Sequence, residues 1–187
     1  VTLVGVPIMC NIHFVLDIWL VTPPAYAYAF CVLIIIFQLI DTLQSPFNSL
    51  IFASNRIKEY NIWLSSILIM NIVISSILLS KGVSPICVPA TMVVLNTITG
   101  ILRLIHIKYF MDIDLSYFSK EIYKDLAVLV LSIIVSLLFN RFSLNVRLNC
   151  FFSTGMSFII TFGIIWLLGL SKNERKEIIR IVKAKIK

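Results

Sequence analysis

Apolar residues run along this chain in six long stretches separated by short polar clusters. The stretches cover residues 1–16, 27–53, 60–80, 86–109, 125–140 and 148–170. They are near-continuously apolar and lack the two-residue alternation of barrel strands, so each predicts a helix that buries its whole circumference. The breaks carry turn chemistry. Thr22-Pro23-Pro24 cannot continue a helix, and Lys81-Gly82 with Pro85 just beyond ends the third stretch. About 20 apolar residues of helix cross a hydrocarbon core. The pattern therefore predicts an all-α polytopic transmembrane bundle: about five complete transmembrane helices over residues 1–170, plus one truncated at the N-terminus. Residue 1 is already apolar, which reads as a helix entered part-way and the chain as the C-terminal part of something larger. Residues 171–187 form a basic tail.

Composition agrees with lipid as the solvent. Hydrophobic residues make up 59% and charged residues 13%, where soluble domains average about 45–50% and about 25%. Mean hydropathy is +1.00. Charge then orients the threading. If successive connections alternate sides, residues 54–59, 103–124 and 171–187 share one side and hold thirteen of the sixteen Lys and Arg residues, against three at Lys81, Arg141 and Arg147. Basic residues concentrate on the cytoplasmic face, so the C-terminus is expected in the cytoplasm. The net charge of +7 is then a matter of topology and implies no nucleic-acid partner. In the tail, Ser171 and Glu174 have capping-box spacing, and Ile178, Ile179, Val182 and Ile186 fall on one side of a following basic helix suited to anionic membrane lipids. Leu115, Phe118 and Ile122 make a weaker stripe of the same kind in segment 113–123.

The second stretch is the informative one. Gln38, Asp41, Ser45 and Asn48 follow spacings that place them on one helix face, with Gln44 beside Asp41. An Asp at the bilayer centre costs roughly 2.5–3.5 kcal/mol even on the lenient insertion scale. This face therefore has to look into protein or a water-filled cavity. Residues 27–53 extend about 40 Å at about 1.5 Å per residue, more than the hydrocarbon core. Pro46 removes a backbone hydrogen bond inside the run and is the hinge candidate. Two readings stay open: a solute pathway lined by Gln38, Asp41, Gln44 and Asn48, or a polar network that joins helices. Arg103, near the end of the fourth stretch, either snorkels to the interface or faces the cavity mouth. Asn71 and Asn96 need no more than interhelical hydrogen bonds.

Enzyme signatures are few. No GxGxxG, P-loop, HExxH or GxSxG occurs, so no catalytic residue, metal ligand or cofactor is assigned. Cys10, Cys31, Cys87 and Cys150 lie in or beside separate apolar runs without metal-site spacing and read as buried thiols; His13 and His106 lack neighbouring ligands. Asp112, Asp114, Glu121 and Asp125 form an acidic cluster beside the membrane that could hold a divalent ion for chemistry on a polyprenyl phosphate. Alternation with Lys108, Lys120 and Lys124 and a capping role for Asp114 explain the same residues.

Several short motifs, in order, carry a resemblance. Ile18-Trp19-Leu20 precedes Pro24-Ala25-Tyr26; then come Gln44-Ser45-Pro46-Phe47-Asn48 and Ala53-Ser54-Asn55-Arg56-Ile57-Lys58-Glu59-Tyr60. Lys81-Gly82-Val83-Ser84-Pro85, Arg103 and Gly169-Leu170-Ser171-Lys172-Asn173-Glu174-Arg175 follow. Together they resemble the second half of the Wzx-like polysaccharide-repeat-unit flippases, in the multidrug/oligosaccharidyl-lipid/polysaccharide exporter superfamily. Val21 stands where that pattern has Gly, and Ser54-Asn55 where it has Thr-Gly. The resemblance implies a transporter of two helical lobes around a central cavity. It would move polyprenyl-diphosphate-linked oligosaccharide across the bacterial inner membrane for polysaccharide or lipopolysaccharide biosynthesis, with the N-terminal lobe of the same transporter as partner. A drug or cation antiporter of that superfamily shares the fold, and a membrane enzyme of glycan assembly acting at Asp112 and Asp114 is the reading from a different class.

Overall fold

The computed structural model describes residues 1–20, 22–53, 57–110, 115–142, 149–169, 175–176 and 180. Seven α-helices and one π-helical turn account for nearly all of them, and no strand occurs among the described residues. The helices are α1 (Thr2–Cys10), α2 (Ile12–Trp19), α3 (Ala27–Ala53), α4 (Ile57–Ser80), α5 (Cys87–Phe110), α6 (Leu115–Phe142) and α7 (Asn149–Ile164), which runs into the π turn Ile165–Gly169. Three of them, α3, α4 and α5, are long and apolar enough to cross a membrane. The bent pair α1 and α2 makes a fourth if it is taken as one span.

The first apolar run differs most from expectation, for it is two helices rather than one. Asn11 separates them. Its backbone N–H is shared between the carbonyls of Pro7 and Ile8, each at 3.2 Å. Its side-chain amide also donates to Pro7 O at 3.0 Å. A side chain that competes for the helix's own carbonyl acceptor favours a break. Two other boundaries shift. Segment 113–123 is no separate amphipathic helix: α6 starts at Leu115 and continues through it. The sixth run widens at its end, where five residues adopt π geometry, and Arg175 Nη2 donates to Leu167 O at 2.6 Å, serving one of the carbonyls a helix end leaves open. The remaining tail expectations, at Ser171, Glu174, Ile178, Ile179, Val182 and Ile186, lie outside the described residues.

The α4–α5 connection follows from sequence directly. Gly82 adopts φ +77°, and Gly82 N–H bonds Leu79 O at 3.0 Å while Val83 N–H bonds Leu78 O at 3.2 Å. That is the paired bonding of a Schellman cap, which needs a left-handed residue and so favours glycine. Pro85 cannot donate to a continuing helix, and α5 begins just past it. Pro46 lies inside α3, which stays one helix through it. The hydroxyls of Thr42 and Ser49 bond back to the carbonyls of Gln38 and Ser45 on either side.

The chain forms two compact units. In the first, α5 packs along α3 and α4, and α2 packs on α3. Leu39, Phe47, Ile51, Tyr60, Leu95 and Ile107 are buried there, while Ile62, Trp63, Ile69, Ile72 and Val94 are exposed apolar residues of the kind lipid covers. In the second unit, α1 packs on α7. Ser132 and Ser136 of α6 and Ser157 and Thr161 of α7 are wholly buried at four-residue spacing, the small-residue pattern that lets membrane helices approach closely.

Candidate functional site

The polar residues of the first unit gather where α3, α4 and α5 meet. On α5, Asn96, Gly100 and Arg103 recur at spacings of four and three and so share a face. Gly100 presents no side chain on that face, and the carboxamide of Gln44 from α3 occupies the space: a Cβ on Gly100 would fall 2.7 Å from Gln44 Nε2. There Gln44 uses both ends of its amide. Nε2 donates to Asn96 O at 3.1 Å, and Oε1 accepts from Arg103 Nη1 at 2.7 Å. Asn96 Nδ2 returns the link to α3 by donating to Phe37 O at 3.3 Å. Helices α3 and α5 are thus joined by an unbroken polar clamp.

Arg103 is 5% exposed. Its guanidinium sits over the Tyr60 ring of α4 at 5.8 Å from the centroid, within cation–π range. The Tyr60 hydroxyl donates to Asn48 Oδ1 at 2.8 Å, which brings α3 back into the same cluster. Among the described residues Arg103 Nε is buried without an acceptor.

Beside this cluster lies a cavity of about 270 Å³, walled by Phe37, Asp41, Asn48, Asn71, Asn96 and Arg103 among others. A smaller one of about 110 Å³ lies against Tyr60, Trp63, Arg103 and His106. Arg103 borders both. Asp41 and Asn48 are half-buried. Asp41 makes no hydrogen bond with any described side chain, which leaves its carboxylate to whatever fills the cavity.

Asp41, Asn48 and Arg103 therefore share one cavity, and Gln44 braces Arg103 from behind it. Gln38 does not join them. It is exposed, as are Ser45 and Pro46, so the face read from residues 38, 41, 45 and 48 is split between a cavity half and an outer half. Tyr60 and Gly100 carry the cluster, and neither was read from sequence as part of a site. The signal for Gly100 was present in the spacing Asn96, Gly100, Arg103; Tyr60 entered only as the last residue of the Ala53–Tyr60 motif. Asn71 accepts from Thr91 at 2.9 Å, and Thr91 meets Ser75 at 2.9 Å, an α4–α5 network of the expected interhelical kind.

No family model, curated protein or solved structure matches the chain.

Elsewhere, the His13 ring stacks on Tyr28 at 4.0 Å between centroids, and Tyr28 donates to Asp17 at 2.6 Å. Cys10, Cys31 and Cys87 form no disulfide among the described residues, and all are half-buried. Among the described residues no three His, Cys, Asp or Glu residues converge as a metal site. Asp112 and Asp114 lie outside the described residues, and the side chain of Glu121 does too.

Proposed function

We propose that this chain is one helical lobe of a membrane transporter that flips polyprenyl-diphosphate-linked oligosaccharide across the bacterial inner membrane. The observation that carries the reading is the convergence of Asp41, Asn48 and Arg103 on one cavity among helices long enough to span a bilayer. Intramembrane ionisable groups are costly and mark solute or ion pathways. Amide and carboxylate groups pair with sugar hydroxyls, and a guanidinium pairs with phosphate oxygens. Asp41, without a hydrogen bond to any described residue, is the group to take up a proton or coupling cation on one side and release it on the other.

In this reading the lobe contains about five or six spans, with the tail in the cytoplasm against membrane lipids. A second helical lobe supplies the other wall of the pathway, and movement follows alternating access between lobes. The order of the motifs from Trp19 to Arg175 supports the flippase class, and the thirteen-to-three distribution of basic residues supports the orientation.

Substituting Asp41→Asn in the transporter tests the role. Asn keeps shape and hydrogen bonding and loses the titratable group. Membrane level should be normal and glycan export severely reduced. Normal export at normal protein level would remove Asp41 from the pathway.

A further inference from the structure

Two cavities of opposite character meet at Arg103. The smaller, of about 110 Å³, has apolar walls of Trp63, Leu64, Ile67, Leu102 and Ile105, and its described lining comes from α4 and α5 alone. The larger, of about 270 Å³, is the polar cavity that holds Asp41, Asn48 and Asn71. Leu64, Ile67, Thr99 and Arg103 border both, so the two adjoin across a wall whose one charged member is Arg103. All of these residues belong to the first unit.

The hydrogen bonds already made say what each side can still offer a ligand. Asn48 Oδ1 is taken by Tyr60 and Asn71 Oδ1 by Thr91, which leaves the amide donors of both. Asp41 supplies a carboxylate that no described residue engages. Arg103 is 5% exposed; its Nη1 is committed to Gln44, and its Nε has no acceptor among the described residues. A buried donor left unserved is unfavourable. An oxyanion at the boundary of the two cavities would serve it with a charge-assisted bond.

We infer that one amphiphile occupies both cavities: a single isoprenoid chain enters between α4 and α5, its phosphate rests on Arg103, and its first sugar lies in the polar cavity. The order apolar, cationic, polar along the protein matches the order chain, phosphate, sugar along such a lipid. Sugar hydroxyls both donate and accept, which is what Asp41 and the two amides together require. The apolar cavity is small, so it admits the head end of one chain rather than the paired chains of a glycerophospholipid. The inference rests on the proposed function, and adds to it a chain subsite and the residue that divides chain from sugar.

Binding to the whole transporter in phosphatidylcholine nanodiscs tests it. Trp63 is kept as the single tryptophan, with every other one changed to Phe. Because Trp63 lines the apolar cavity, its emission reports entry there. Undecaprenyl-diphospho-N-acetylglucosamine should shift the emission saturably. UDP-N-acetylglucosamine, which lacks the chain, should leave it unchanged, and undecaprenol, which lacks the phosphate, should bind about tenfold more weakly or worse. Arg103→Gln should weaken the complete probe by about the same factor, the effect of losing a hydrogen bond to a charged group. The comparison among probes needs no change at Arg103 and decides the matter if that variant fails to fold. No response to the complete probe, an equal response to undecaprenol, to UDP-N-acetylglucosamine or to dioleoylphosphatidylglycerol, or undiminished binding by folded Arg103→Gln would each overturn the inference. Export by Asp41→Asn reads the pathway separately. Probe binding as expected with unimpaired Asp41→Asn export keeps the site and refutes the pathway, while severe export loss without probe binding does the reverse.

Discussion

Gly100→Ala should destabilise the first unit although alanine is the better helix former. An ideal Cβ at position 100 lies 2.7 Å from Gln44 Nε2, 2.8 Å from Cδ and 3.1 Å from Oε1. Carbon contacts are comfortable from about 3.5 Å, so the carboxamide has to retreat by roughly 0.8 Å. A flexible side-chain end usually retreats at little cost, but this one is tethered at both atoms. The bond to Asn96 O at 3.1 Å moves out of range, and the charge-assisted bond from Arg103 at 2.7 Å lengthens or re-aims. Losing the neutral bond costs about 0.5–1.5 kcal/mol and losing the charged one about 1.5–3 kcal/mol. Removing a mid-helix glycine returns about 0.5–1 kcal/mol. The net is a loss of about 1–4 kcal/mol. Thermal unfolding of purified protein measures it, in a cycle with Gln44→Ala. Once Gln44 is truncated the clash is gone, so adding Gly100→Ala should be neutral or mildly stabilising. If Gly100→Ala stabilises equally in both backgrounds, the carboxamide does not occupy the space above Gly100 and the clamp is wrong.

Topology can be read by single-cysteine labelling in intact cells. Positions 55, 119 and the C-terminus should be shielded from an impermeant reagent, and positions 22, 83 and 143 labelled; labelling at 119 refutes the orientation. Gly82→Ala should cost about 1–2 kcal/mol in unfolding measurements, the penalty for a Cβ in left-handed backbone. Nothing lies within 4 Å of the added Cβ, so a larger loss would mean that the cap does more than hold a backbone angle.

Helices α3, α4 and α5 were legible because hydrophobicity, length and turn chemistry agree along them. Residues 27–53 emerge as Ala27–Ala53, and Gly82 with Pro85 fixes the next boundary. The first run was illegible because its break depends on Asn11 aiming its amide at Pro7 O, a rotamer that composition does not encode. The start of α6 was missed for a similar reason: charges at Lys120, Glu121, Lys124 and Asp125 interrupt the apolar pattern without interrupting the helix. Around the cavity, spacing put Gln38, Asp41, Ser45 and Asn48 on one face of α3 but could not divide that face. Asp41 and Asn48 turn inward by less than one residue step relative to Gln38 and Ser45, a difference settled by where α5 packs.

That division also bears on the two readings the sequence left open, glue or pathway, because the polar residues of α3 are not equivalent. Gln44 is buried, and its donor and acceptor are both committed to α5. These two bonds spend one N–H and one lone pair of the amide on α5, and through the second of them Gln44 holds Arg103. Asn48 has its oxygen engaged by Tyr60, with its amide donor left over. Asp41 makes no hydrogen bond with any described residue and stands at the cavity wall. A residue kept only as glue should be satisfied by the helices it joins, since an unsatisfied polar group in a water-poor interior costs more than an apolar replacement. By that criterion Gln44 and Asn96 are glue and Asp41 is not. Arg103 belongs to both groups. Gln44 fixes one nitrogen and the Tyr60 face supports the plane, while Nε stays without an acceptor. One polar residue type on one helix thus serves two ends, and the hydrogen bonds already made, more than sequence position, say which.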